Sequence, residues 1–195
     1  CQNGRVDAAR LLLDKGADIN RARGDGMTPL HIACWEDHVA AARLLLDKGA
    51  DVDRAKEDGT TPLFHACLKG HIDAARLLLD NGAEVDWATK GGFTPLLIAC
   101  GRGHVDVARL LLEKGAEVDR ALEDGRTPLY IACWEGHVDA ARLLLEKGAD
   151  VDRALEDGTT PLYVACQNGH VDAALLLLDR GADANSPTDA QGRTP

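Results

Sequence analysis

The sequence predicts an all-α solenoid: short helix–turn–helix units stacked in one direction, with β-turn fingers projecting where the units join. Three observations carry this expectation. The tripeptide Thr-Pro-Leu begins at Thr28, Thr61, Thr94, Thr127 and Thr160, always 33 residues apart, and Thr-Pro returns at Thr194. A Gly-Ala pair keeps the same step at Gly16, Gly49, Gly82, Gly115, Gly148 and Gly181. Each interval also holds two apolar segments, and a hairpin of that size cannot bury both its apolar faces alone, so neighbouring units must cover one another.

The unit at 61 justifies each element in turn. Thr61 suits an N-cap and Pro62 the first helical position, where a missing backbone donor costs nothing. Helix one runs to about Lys69, because Gly70 can take the left-handed conformation that closes a helix. Helix two follows His71, from about Ile72 to Asn81, with Ala74, Ala75, Leu77, Leu78 and Leu79 apolar and Gly82 as its stop. Asp73 and Arg76 mark a solvated outer face, repeated as Asp7/Arg10, Asp106/Arg109 and Asp139/Arg142. The Asp-Gly turns at 56–59, 122–125 and 155–158 supply the fingers. Residues 1–195 therefore read as one domain. A partial first unit over 1–27 opens inside helix one, complete units start near 28, 61, 94, 127 and 160, and residues 194–195 begin another. Leu175 stands where five earlier units carry arginine, so that end is expected to be poorly capped and residues from about Ser186 onward weakly protected.

Composition excludes several classes of function. A chain of 195 residues with 45% apolar and 28% charged residues is globular in character. With 32 acidic and 22 basic residues the net charge of −10 repels polyanions, which argues against nucleic acid as a partner. The longest apolar runs, Leu129 to Trp134 and Ala173 to Leu178, fall far below the ~18 residues that cross a bilayer. The N-terminus lacks the pattern of a secretory signal, and the expected setting is intracellular and cytoplasmic.

The cysteines, at 1, 34, 67, 100, 133 and 166, keep the same 33-residue step. Equivalent positions in stacked helices lie roughly 8 to 10 Å apart, whereas a disulfide needs α-carbons closer than ~7 Å. A 33-residue step also separates thiols instead of converging them on a metal. The expectation is six reduced cysteines, each a small apolar side chain in a crowded seam.

The period of 33 and the order "DG-x-TPL-x-x-A-x-x-x-GH" followed by "LLL-x-x-GA" resemble the ankyrin repeat family across essentially the whole chain. Departures are few. Phe64, Leu97, Tyr130 and Tyr163 stand where the family has histidine after Thr-Pro-Leu, Asp37 replaces a glycine, and cysteine stands where alanine is common. The resemblance implies that His38, His71, His104, His137 and His170 hydrogen-bond the loops between repeats, and that His31 is likewise structural. His65 is different, because its equivalents are Ile32, Ile98, Ile131 and Val164, and it reads as a polar contact in an apolar seam or as a partner contact.

Catalysis has little support. Ser186 is the only serine, beside Pro187, and no zinc helix, Walker loop or nucleophile elbow occurs, so neither an enzyme nor a cofactor is expected. Arg23-Gly24-Asp25 falls where a turn is expected anyway. The informative residues are those at which the units disagree, and all seven aromatics are among them. The resemblance implies a concave surface formed by the fingers and the exposed side of helix one. The expected partner-binding residues there are Trp35, Leu68, Trp87, Phe93, Arg102, Arg126 and Trp134, while Phe64, Tyr130 and Tyr163 read as packing between repeats. Acidic fingertips through Asp25, Glu57, Asp58, Glu123, Asp124, Glu156 and Asp157, interrupted by Lys90 and offset by arginines at the finger bases, point to a ligand with an apolar anchor and basic flanks. Function thus reads as a monomeric, non-enzymatic module binding a protein or peptide, and its near-identical units suit a segment of a larger protein or an engineered scaffold. The alternative is a stiff structural spacer without a dedicated ligand.

Overall fold

The computed structural model describes residues 2–185, with side chains from Val6 onward, and among these residues there are eleven helices and no strand. The first helices of the units are α2 (Pro29–Trp35), α4 (Pro62–Lys69), α6 (Pro95–Gly101), α8 (Pro128–Trp134) and α10 (Pro161–Gln167). The second helices are α1 (Gln2–Asp14), α3 (Val39–Asp47), α5 (Ile72–Asp80), α7 (Val105–Glu113), α9 (Val138–Glu146) and α11 (Val171–Asp179). Each first helix packs on its own second helix and on the first helix of the next unit, and the second helices pack likewise, which makes two parallel layers. Cys1, Ser186, Pro187 and the closing Thr194-Pro195 lie outside the described residues.

Local chemistry explains the constancy of the framework letters. The threonine before each first helix is buried in an extended conformation, and its hydroxyl accepts from a backbone N–H three residues on, at 3.2 Å in Thr61–Phe64 and 3.1 Å in Thr127–Tyr130. At the other end of each unit the Gly-Ala pair closes the second helix. Gly82 takes φ +86°, its N–H donates to the Leu79 carbonyl, and the Ala83 N–H reaches back to Leu78 at 3.0 Å while its methyl is buried. Both bonds of a Schellman cap are therefore present, with the small apolar contact that accompanies it.

Three of the five histidines that the resemblance singled out, His71, His104 and His170, join one unit to the next through carbonyls at the ends of first helices. The Nε2 of His71 donates to the Trp35 carbonyl at 3.1 Å, His104 to Leu68 at 3.2 Å and His170 to Trp134 at 2.9 Å. Each bond pins the last turn of the preceding first helix. Gly70 sits against the His104 ring at φ +75°, and a Cβ there would lie 2.7 Å from its Nδ1, so the glycine is required twice over. Asp37, at φ +54°, occupies the same kind of conformation without glycine's freedom.

A carboxylate ladder adds a second link. The backbone N–H of Glu84 donates to Asp53 at 3.1 Å, and the pattern recurs as Glu117 to Asp86, Asp150 to Asp119 and Asp183 to Asp152. In the first unit Asn20 does the same for Asp51 at 3.0 Å. Burial raises the Asp53 carboxyl above its ordinary value, against the lowering effect of the Glu84 N–H, and the nearby Glu84 and Asp51 charges raise it further. A raised folded-state value means that ionisation opposes folding: the stabilising contribution belongs to the protonated form and is lost as pH rises through the carboxylate range. Asp53→Asn keeps the acceptor, as Asn20 shows, and removes the desolvated charge. We expect it to raise stability at neutral pH, with the gain over the parent shrinking as denaturation is repeated toward pH 4.

Two features of the first and last units differ from the sequence expectations. The partial first unit is read as opening inside helix one, yet a single helix, α1, runs unbroken from Gln2 to Asp14. Only three residues of that first helix are in the sequence, too few to form a hydrogen-bonded turn of their own, and they continue the following helix instead. Cys166, expected in a buried seam, is exposed, because among the described residues no further first helix packs on α10 as α10 packs on α8. Leu175 is 54% exposed on α11, as are its neighbours Val171 and Leu178 to a similar degree.

Candidate functional site

The fingers are built the same way from unit to unit. In the second, the Lys56 N–H donates to the Thr60 carbonyl, the Gly59 N–H donates to the Lys56 carbonyl, and Gly59 sits at φ +83°. The Lys90 N–H of the next finger donates to the Asp58 carbonyl at 2.9 Å, and a Cβ on Gly59 would stand 2.8 Å from that nitrogen. Fingers therefore touch directly. Their aspartates serve the turn: Asp25, Asp58, Asp124 and Asp157 each accept from the backbone N–H two residues on. Partial burial pushes Asp58 up, but hydrogen bonds from Thr60 and Lys56 outweigh it and bring the carboxyl down to about 2. Lys56, Arg23 and Arg126 pair with the aspartates of their own fingers at 3.1, 3.6 and 2.7 Å. The fingertip field is accordingly weaker than the count of acidic residues implies, and Glu57, Glu123 and Glu156 are its exposed remainder.

Between the units at 94 and 127, the fingers and first helices enclose a cleft of about 280 Å³. Four of the expected binding residues line it: Phe93 and Arg126 from the fingers, Arg102 and Trp134 from the ends of α6 and α8. Trp134 is 45% exposed, its ring stands 6.1 Å from that of Tyr130, and its carbonyl is held by both His170 and the Asn168 amide. Arg102 is exposed, whereas Arg126 is half-buried and drawn onto Asp124.

The other expected residues lie elsewhere. Trp35 is half-buried, packed edge-on against His65 at 5.2 Å, with the Lys69 ammonium 4.0 Å over its ring. Leu68 is half-buried at the equivalent position on α4. Trp87 is half-buried before the third finger and does not line the cleft. Phe64 and Tyr130 are buried, Tyr130 to 2% exposure, and Tyr163 is half-buried. Tyr130 nevertheless contributes to the cleft wall, as do Ile98, Ile131 and Gly101, none of which sequence reasoning had selected. Gly101 carried a usable signal, since its equivalents are Trp35, Leu68, Trp134 and Gln167.

The thiols have no part in this surface. Burial pushes Cys34, Cys100 and Cys133 up to about 12 and Cys67 upward as well, so they are inert as nucleophiles. A maleimide added to native protein is expected to label Cys166 first, and Cys34, Cys67, Cys100 and Cys133 only after unfolding. Rapid native labelling of any of those four would contradict the stacked seam. Among the described residues no cluster of side chains is arranged to hold a metal ion, and no helix is long and apolar enough to cross a membrane.

Two layers of short helices with a row of variable side chains and projecting fingers define a stacked-repeat solenoid. A family model described as ankyrin repeats (3 copies) matches residues 51–121, 81–154 and 119–188, and another, ankyrin repeats (many copies), matches residues 1–46. The chain belongs to the ankyrin repeat family, whose repeats are generally protein-interaction modules. The fold is similar to the crystal structure of the human ASB11 ankyrin repeat domain, with a TM-score of 0.88 and 34% identity over 99% of this chain and 86% of that one. A curated ankyrin repeat and LEM domain-containing protein 1 homolog from Caenorhabditis elegans is 59% identical over 34 residues, 17% of this chain. That match spans 5% of the relative's own length.

Proposed function

We propose that the chain is a non-enzymatic module that holds a protein or peptide across the inner, concave face formed by its fingers and first helices, acting as a monomer in a reducing, cytoplasmic setting. The observation that carries this reading is the cleft beside Trp134, where side chains that the repeating framework does not require gather on backbone that the framework holds still. Large aromatics on a rigid surface bury much area at little entropic cost, which is what anchors an interface. The exposed glutamates of the fingers would favour basic groups at the edges of the ligand.

The test is alanine substitution at Trp35 and Trp134, with binding to partners captured from cytosol measured beside the stability of the variants. Loss of about 2 kcal/mol or more of affinity with folding intact supports the reading. Undiminished binding would put the partner on another surface, and failure to capture any partner would leave the chain as a spacer whose effect tracks the number of repeats.

A further inference from the structure

Two parallel rows of side chains run along the inner ends of the first helices. One row reads Trp35, Leu68, Gly101, Trp134, Gln167, and the next position in each unit reads Glu36, Lys69, Arg102, Glu135, Asn168. All five members of the second row are exposed. Its charges are ordered, with two cations in the middle and an anion on either side. Of the fingertips, Lys90 stands on the unit of Arg102 and Glu123 on that of Glu135, whereas Glu57 stands on the unit of Lys69.

The first row is interrupted in the same place. Gly101 leaves a notch between Leu68 and Trp134, walled by Phe93 and Ile131, where a Cβ on residue 101 would stand 2.9 Å from the Ile131 Cγ2. Equivalent positions accept tryptophan and leucine, so the repeat as such does not demand glycine there, although a side chain at residue 101 requires the Ile131 methyl to move. In the cleft Arg126 is already neutralised by Asp124, while Lys69 lies over the Trp35 ring and has no ion pair among the described residues. No ion pair of Arg102 is found among the described residues.

We infer that the occupant of this face is an extended polypeptide segment with an apolar side chain seated in the Gly101 notch, an acidic side chain next to it over Arg102 and Lys69, and basic side chains toward both ends. The inference rests on the concave-face reading and adds a sequence order to it. Stacked helices lie roughly 8 to 10 Å apart and an extended chain advances about 3.3 Å per residue, so consecutive rungs are read about three residues apart. The acidic centre faces Lys69 and Arg102, and the basic ends face Glu36 and Glu135. A uniformly basic segment meets cations at the centre, and a uniformly acidic one meets anions at both ends, so the arrangement selects against both.

The test is selection of a random peptide display library against the whole chain, followed by affinity measurements with synthetic versions of the enriched peptides. Enrichment of an apolar–acidic pair flanked by basic residues is expected, with at least tenfold weaker binding to Arg102→Glu and to Gly101→Leu, and recovery on Arg102→Glu when the peptide's acid is replaced by lysine. Both substitutions sit at exposed or variable positions, and a thermal melt of each verifies folding. Peptides that lose affinity with Trp134→Ala but not with Arg102→Glu would overturn the charge order while leaving the concave-face reading standing. Peptides indifferent to Trp35→Ala, Trp134→Ala and Arg102→Glu, or a selection that enriches nothing, would overturn both.

Discussion

Leu111→Ala is expected to lower stability by about 2–5 kcal/mol, among the largest effects of any single substitution in this chain. Leu111 is 0% exposed in the middle of α7, within the core shared by the central units. Its carbonyl also receives the Ala116 N–H that closes the helix, at 3.0 Å. Truncation leaves a cavity that stiff neighbouring helices cannot collapse around. The architecture also determines where the loss is felt. Each unit touches only its neighbours, so stability is close to a sum of unit and interface terms, and a weakened centre separates the two ends. Chemical denaturation should show a lower midpoint and a broader transition, and hydrogen exchange should accelerate first in α6 to α9. A cost below about 1 kcal/mol, or exchange accelerated evenly from end to end, would mean that the units are not coupled in this nearest-neighbour way.

His65→Ile should act in the opposite direction. His65 is 5% exposed, packed edge-on against His31 at 5.3 Å and Trp35 at 5.2 Å, and its buried Nδ1 has no hydrogen-bond partner among the described residues. Burial, with the His31 and Lys56 charges adding to it against a smaller effect of Asp58, pushes the ring down to about 4. The unfolded chain takes up that proton near pH 6.5. The stability tied to the neutral ring is therefore fully present above about pH 6.5 and is lost as pH falls toward 4. Equivalent positions hold Ile32, Ile98, Ile131 and Val164, so the seam accepts a branched apolar side chain. Removing the orphaned nitrogen should add about 1–3 kcal/mol at pH 7, and the gain should grow at pH 5. Burial lowers His31 in the same seam, so some acid sensitivity remains in the variant. Identical acid limbs for the two proteins would show that His65 does not carry the effect.

Much of this was legible in the sequence, and the limits have physical causes. Thr61, Pro62, Gly70 and Gly82 act through bonds within a few residues of themselves, so reading them placed α4 and α5 to within about one residue. Cys166 has a similar local sequence context to Cys133 and a different environment, because burial here depends on whether another unit stacks on top. The finger aspartates looked like free surface charge, but an Asp two residues before a turn N–H is drawn inward by it. The cleft was legible in part. Trp134, Phe93, Arg102 and Arg126 stood out as letters that the repeat does not require, whereas the space between them is created by a side chain that is missing. A glycine at residue 101 becomes a notch only when Phe93 and Ile131 are brought beside it from different units.

The most direct test of the concave-face account places a photoreactive amino acid at residue 102, on the inner face, or at residue 109, exposed on the outer side of α7, and irradiates each in the presence of a bound partner. The account predicts efficient cross-linking from position 102 and little from position 109. Cross-links confined to position 109 would show that the partner lies on the outer helices, and would contradict it.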